Sequence, residues 1–325
     1  MRIIGLILSL SFGSAFANTE ALQIDESLKN AEALYAARDS TIAGVRAAED
    51  AIKAYKEILP TVSGAQLINV VHHLGSLIFY RGEMLGNDSA SNFDPDTKLP
   101  KTQLPKAQRK ELFNECREHA MKLKLDASEK PIDVSDLKFT KIKDEYRTPF
   151  TYWYFLCTAL WFKDNPESTK ADRETLGNFL KAVIAEDTLE LKEDLGVDTN
   201  YMAGGLKRAI AGSYINPLVG FILPGISTKM SRPKALEFIT SATKSPGSKT
   251  IGDPIAGNFY ISNFRVQINV LVSLDRLVEA KELSAKTIKR VQALIDNDEL
   301  VAGYEPEIKH DLLLLNDQAI EKNLK

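Results

Sequence analysis

The sequence predicts an all-α protein built from stacked antiparallel helical hairpins, and two observations support this class. Apolar residues recur at intervals of three and four along most of the chain, which places them on one face of a helix. No segment has a convincing β-strand pattern. Because one hairpin cannot bury its own apolar stripe, neighbouring pairs are expected to cover one another in a curved solenoid. A compact, irregular helical bundle is the alternative.

The predicted helices follow from the apolar stripes in chain order. These stripes cover residues 28–35, 45–59, 67–78, 112–123, 150–161, 176–184, 206–214, 235–242, 264–272, 283–294 and 308–320. Residues 22–59 form the first predicted hairpin, and Pro60 ends its second helix. Ser231 and Pro233 mark the start of the helix over 235–242. The stretch 87–104 is rich in Pro, Asp and Ser, which predicts a long loop.

The N-terminus has the features of a secretory signal peptide over residues 1–17. A basic residue is followed by a short apolar stretch, and Ala15 and Ala17 provide the small side chains that signal peptidase requires. The apolar stretch is shorter than the ~20 residues that span a bilayer. We therefore expect cleavage after Ala17, no lipid anchor, and a periplasmic protein with a single domain over residues 18–325. A buried N-terminal helix is the alternative.

The composition argues against two classes of partner. The chain holds 41 Lys and Arg residues against 44 Asp and Glu residues, which gives a formal charge of −3. Nucleic acids and anionic membranes select clustered basic residues, so neither is expected as the main partner. No phosphate-binding loop, zinc-protease helix or serine-nucleophile motif occurs. We therefore expect no catalytic residue, no cofactor and no metal.

The two cysteines, Cys116 and Cys157, have two interpretations. In an oxidising compartment they can form a disulfide bond. Both also lie within apolar helical stripes, where an unpaired cysteine packs as a small hydrophobic side chain. The histidines offer no convincing metal site. His72 and His73 are adjacent and cannot share a metal face, while Glu115 and His119 lack a third ligand.

Two stretches resemble known helical-repeat proteins. One is spaced somewhat as in a tetratricopeptide repeat, and it contains Glu32, Tyr35, Ala48, Ile52, Tyr55 and Pro60. The other runs through Tyr201-Met202-Ala203-Gly204-Gly205-Leu206-Lys207-Arg208, Tyr214, Pro217, Pro224-Gly225, Lys234-Ala235-Leu236-Glu237 and 277–283. This order resembles the T component of TRAP-type transporters, a periplasmic family of tetratricopeptide-like helical proteins. The resemblance covers residues 201–290, and the N-terminal half only loosely.

The resemblance implies a non-enzymatic accessory protein of TRAP-type transport. Members of that family bind an extracytoplasmic solute-binding protein and are thought to offer a groove or pore to an apolar or amphipathic ligand. Two departures are the absent lipobox cysteine and the long loop over 87–104. The alternatives are a general protein–protein adaptor of the cell envelope without a transport role, and a helical hydrolase whose carboxylates come from distant helices.

The candidate contact residues lie between residues 201 and 223, before, within and after the predicted helix over 206–214. They are Tyr201, Gly204, Gly205, Arg208, Tyr214, Leu218, Phe221 and Leu223. The glycine pair indicates either a close helix crossing or bare backbone beside a ligand, since each glycine costs a helix about 1 kcal/mol relative to alanine. Lys207 and Arg208 are suited to a carboxylate or to a solvated helix face. The apolar stretch 217–225 is either buried or presented to a partner.

Overall fold

The computed structural model describes residues 24–39, 41–85, 104–133, 138–165, 169–216, 227–248, 255–301 and 303–321. Within these ranges the chain forms eleven α-helices and no β-strand, with two isolated β-bridges, so the all-α prediction is confirmed. No helix in the described ranges is both long and apolar enough to cross a membrane. The predicted signal peptide lies outside them.

The helices follow the apolar stripes of the sequence. They are α1 (residues 24–36), α2 (Ile42–Ile58), α3 (Gly64–Phe79), α4 (Lys106–Met121), α5 (Asp144–Asp164), α6 (Lys170–Val183), α7 (Tyr201–Tyr214), α8 (Thr228–Thr243), α9 (Ile261–Ser273), α10 (Leu277–Asp296) and α11 (Glu305–Glu321). Pro60 lies in a 3-10 turn directly after α2, as expected. A π-helical turn, Tyr80–Met84, extends α3.

The predicted start of α8 is wrong. The helix begins at Thr228, and its N-cap residue is Ser227, so Ser231 and Pro233 lie inside it. The Ser231 hydroxyl instead donates to the backbone carbonyl of Tyr214 at 2.7 Å, in a fully buried position. Ser231 therefore satisfies a carbonyl at the end of α7, which has no partner within its own helix.

Most helices pack on their neighbours in chain order. Consecutive helices contact each other from α2 to α6 and again from α7 to α11, and α7 joins the two series by packing on α5. The chain also returns on itself: Arg38, after α1, forms a buried ion pair with Glu307 of α11 at 2.7 Å. His310 of α11 bonds the Met84 carbonyl at 2.7 Å. In an open repeat stack, each repeat contacts only the repeats next to it. The contacts of Arg38 and Met84 with α11 are therefore not those of an open stack, and the solenoid arrangement stays a prediction.

The aromatic helix α5 lies in the core. Phe150, Trp153 and Tyr154 are buried, and Trp153 fills the space above Gly75, where a Cβ atom would come within 2.4 Å of the indole ring. The interpretation of these rings as core side chains is therefore the one that the structure favours. Cys157 on the same helix is bonded to Cys116 of α4, with their Cα atoms 5.8 Å apart. That distance is usual for a disulfide bond.

Candidate functional site

The start of α7 contains a left-handed turn that the sequence does not reveal. Met202, Ala203 and Gly204 have φ values of 53°, 56° and 78°. Non-glycine residues rarely adopt this conformation, because their Cβ atom approaches the following carbonyl oxygen, at about 1–2 kcal/mol per residue. Such strain persists only where surrounding contacts hold the backbone in place.

Hydrogen bonds from two buried side chains hold this turn. The Asn263 amide donates to the carbonyl of Ala203 at 2.8 Å, and the Arg208 guanidinium donates to that of Met202 at 3.1 Å. Arg208 also donates to the Asn263 side-chain oxygen at 2.8 Å, so the two side chains support each other. The predicted site residue Arg208 thus has a positioning role within the described structure, where it forms no ion pair with a carboxylate.

Gly204 and Gly205 lie at a close helix crossing. A Cβ atom on Gly204 would come within 2.8 Å of the Ala242 Cα atom on α8, and one on Gly205 within 2.4 Å of the Tyr152 ring on α5. Of the two interpretations of the glycine pair, the structure supports close packing. Both glycines are buried, so a partner does not reach their backbone in this conformation.

The two predicted contact tyrosines are also buried. The hydroxyl of Tyr214 donates to the Leu189 carbonyl at 3.2 Å, and burial raises the pKa of this tyrosine. The hydroxyl of Tyr201 lies 2.6 Å from Nδ1 of His72 and accepts a hydrogen bond from the Trp153 indole at 3.1 Å. The contacts of both rings are those of core residues.

Three predicted site residues, Leu218, Phe221 and Leu223, lie outside the described residues. The choice between burial and presentation of the apolar stretch 217–225 therefore stays open.

The buried environment of His72, which packs against Tyr201 of α7, is not evident from the sequence. Burial, together with smaller contributions from the neighbouring His73 and Arg38, lowers the pKa of His72 to about 3. Burial likewise lowers the pKa of His73 to about 4. His72 is therefore neutral near pH 7, and its Nδ1 atom shares a hydrogen bond with the Tyr201 hydroxyl. In the sequence, the adjacency of His72 and His73 indicates only that the two rings cannot bind one metal ion together.

Glu115 and His119, which are four residues apart on α4, have structural contacts. Glu115 forms an ion pair with Lys56 of α2, and burial lowers the pKa of His119 to about 4. Among the described residues, no group of three His, Cys, Asp or Glu side chains is placed to hold a metal ion.

A solvent-open groove lies beside the left-handed turn, and we call it the α7–α8 groove. It lies between α7, α8 and the loop that joins α9 to α10, with a volume of about 850 Å³. Its lining includes Lys207, Leu236, Ser241, Lys244, Leu274 and Arg276. Among the predicted site residues and their neighbours, Lys207 is the one that reaches this surface, since Arg208 turns into the core.

Lys207 is the distinctive side chain of the groove. It is partly buried, and its Nζ atom donates to the Ser241 hydroxyl at 3.0 Å. Burial lowers the pKa of its ammonium group, while the charge of Asp198 acts in the opposite direction. Within the described part of the chain, Lys207 forms no ion pair. A partly desolvated cation that bonds only a neutral hydroxyl is suited to receive an anionic group.

Two of the other groove charges, Glu237 and Arg276, already form ion pairs, while Lys244 is exposed. Glu237 forms an ion pair with Lys234 at 2.7 Å, and Arg276 forms one with Glu279 at 2.6 Å. Both pairs are exposed, where such pairs contribute little to stability. The groove carries three cationic side chains and one carboxylate in a chain whose total charge is negative, so its local potential favours anions.

Two exposed apolar side chains lie beside the groove. Leu277 and Val278, in the first turn of α10, are 53% and 72% exposed and follow the groove residue Arg276 directly. Single exposed apolar residues are ordinary on protein surfaces, whereas contiguous apolar surface marks contact sites, and Leu277 and Val278 extend the apolar part of the groove lining in sequence.

No family model, curated protein or solved structure matches this chain. The similarity to the TRAP-associated T component therefore stays a prediction from the sequence.

Proposed function

We propose that this chain is an exported, non-catalytic helical scaffold that binds a segment of a partner protein in the α7–α8 groove. One observation carries the proposal: an open groove of about 850 Å³ with exposed apolar side chains at its edge. The family resemblance makes an extracytoplasmic solute-binding protein of TRAP-type transport the preferred partner. The solenoid stack of tetratricopeptide-like hairpins is part of the same proposal.

The shape of the groove favours a protein segment over a small molecule. Sites for small ligands enclose most of the ligand surface. The α7–α8 groove is open to solvent, and Val278, two residues after the lining residue Arg276, has 72% of its surface exposed. A partner that covers both the groove and this side chain has to be larger than a small apolar molecule.

The disulfide bond between Cys116 and Cys157 supports export. Disulfide bonds persist in oxidising compartments and are rare where cellular thiols are kept reduced. This pairing agrees with the signal peptide expected over residues 1–17 and with a periplasmic location.

The buried residues of α7 give the groove a fixed wall. Gly204 lets α7 approach Ala242 of α8, and Arg208 and Asn263 hold the left-handed turn. Lys207 lies between two buried positions, 206 and 208, so its backbone is anchored while its side chain faces the groove. In this proposal, the predicted site residues act by shaping the groove.

Site-specific photo-crosslinking in the native periplasm tests the proposal. The crosslinker replaces Val278 at the groove edge, and the control crosslinker replaces Lys289, an exposed residue on the same helix that does not line the groove. We expect Val278 to capture one solute-binding protein, identified by mass spectrometry, and Lys289 to capture none of it.

Other outcomes have distinct meanings. Capture of envelope-assembly proteins at Val278 would favour the general adaptor over the transport accessory. Equal capture from Val278 and Lys289, or none from either, would contradict the groove as the binding surface.

A further inference from the structure

The chemistry of the groove specifies the kind of segment that it binds, and this inference rests on the proposed function. Lys207 is a partly buried cation whose observed partner is the neutral Ser241 hydroxyl. Lys244 adds a second, exposed cation to the same lining. We infer that the α7–α8 groove binds a segment of a partner protein in which an acidic side chain, received by Lys207, is flanked by apolar residues.

The acidic side chains near Lys207 form their hydrogen bonds and ion pairs with other residues. Asp198 accepts hydrogen bonds from the Ser248 hydroxyl at 2.7 Å and from the Asn200 backbone at 2.9 Å. Glu237 lines the groove but pairs with Lys234. A carboxylate from a partner would therefore give Lys207 a charge-assisted hydrogen bond that the described chain does not provide.

The apolar part of the lining specifies the residues beside that carboxylate. Leu236 and Leu274 are partly buried in the groove, and Pro233 and Pro246 lie at its surface. Burial of apolar side chains on these residues contributes affinity in proportion to the area removed from water. A purely acidic segment would leave this apolar surface exposed to water. A basic segment would be repelled by the charges of Lys207, Lys244 and Arg276.

The placement of Lys207 favours discrimination between charged and neutral segments. Its side chain is partly buried and its Nζ atom already bonds the Ser241 hydroxyl at 3.0 Å, so less side-chain freedom is lost when an acid binds than for an exposed lysine. Burial lowers the pKa of Lys207, and a bound carboxylate would raise it again because the opposite charge favours the protonated amine.

Two blocked, dye-labelled peptides test the inference by fluorescence polarisation with the whole chain. One peptide alternates leucine and glutamate, and the other alternates leucine and glutamine. We expect the glutamate peptide to bind at least about tenfold more tightly, the size of one charge-assisted hydrogen bond. Lys207→Met should remove this preference, Lys207→Arg should keep most of it, and the exposed control Lys289→Met should leave it unchanged.

The outcomes separate this inference from the proposed function. Equal binding of both peptides, unaffected by Lys207→Met, would overturn the acidic preference while leaving the groove as a binding surface. No binding of either peptide, together with no partner crosslinked at Val278, would overturn both. Circular dichroism of each variant shows whether a lost preference reflects lost folding, and retention in Lys207→Arg excludes that explanation.

Discussion

Substitution of Gly204 by alanine should destabilise the fold, because this position combines a left-handed backbone with a close helix crossing. The φ angle of Gly204 is 78°, and its added Cβ atom would come within 2.8 Å of the Ala242 Cα atom. The left-handed conformation costs alanine about 1–2 kcal/mol. Overpacking against the α8 backbone adds about 1–3 kcal/mol. We therefore expect Gly204→Ala to lower the free energy of unfolding by about 2–5 kcal/mol.

Gly212 on the same helix provides a matched control. No atom lies within 4 Å of a Cβ atom added there, and its φ angle is not positive. Gly212→Ala should therefore stabilise α7 by about 0.5–1 kcal/mol, through the lower conformational entropy of alanine in the unfolded chain. Urea unfolding followed by far-ultraviolet circular dichroism measures both variants. Equal midpoints for Gly204→Ala and the wild type would refute the left-handed turn and its crossing.

Two further predictions concern the disulfide bond and pH. Replacing Cys116 and Cys157 by serine opens a loop of 41 residues and should lower the free energy of unfolding by about 4 kcal/mol; an unchanged urea midpoint would contradict the pairing. Burial lowers the pKa values of His72, His73 and His119 from 6.5 to about 3, 4 and 4, so the unfolded chain binds more protons below pH 6.5. The free energy of unfolding should be greatest above pH 6.5 and decrease towards pH 4. Each histidine contributes at most about 1.4 kcal/mol per pH unit to this decrease. Urea midpoints that stay constant between about pH 7 and pH 5 would contradict buried neutral histidines.

The helical class was predictable because it depends on local periodicity. The apolar stripe over 45–59 predicts a helix that ends at Pro60, and α2 runs from Ile42 to Ile58. The start of α8 was not predictable, since Ser231 resembles a helix cap in sequence but its hydroxyl bonds Tyr214, 17 residues earlier. A tertiary partner outweighed the local preference of this serine.

The site was predictable only in part. The glycine pair marked α7 as unusual, but the left-handed turn includes Met202 and Ala203, whose side chains give no indication of a positive φ. From the sequence, the side chains of both Lys207 and Arg208 are suited to bind a carboxylate. Their different roles depend on tertiary contacts, because Arg208 reaches Asn263 in the core whereas Lys207 reaches Ser241 at the surface.

The affinity of the purified chain for the partner captured at the groove tests the central claim most directly. Val278→Asp introduces a charge at a position that is 72% exposed, so the fold should tolerate it. Leu313→Asp is the control, since Leu313 is 42% exposed on α11 and does not line the groove. We predict that Val278→Asp weakens partner binding by at least about tenfold, or about 1.4 kcal/mol, while Leu313→Asp leaves it unchanged. Equal affinities for the wild type and Val278→Asp would contradict the α7–α8 groove as the binding surface.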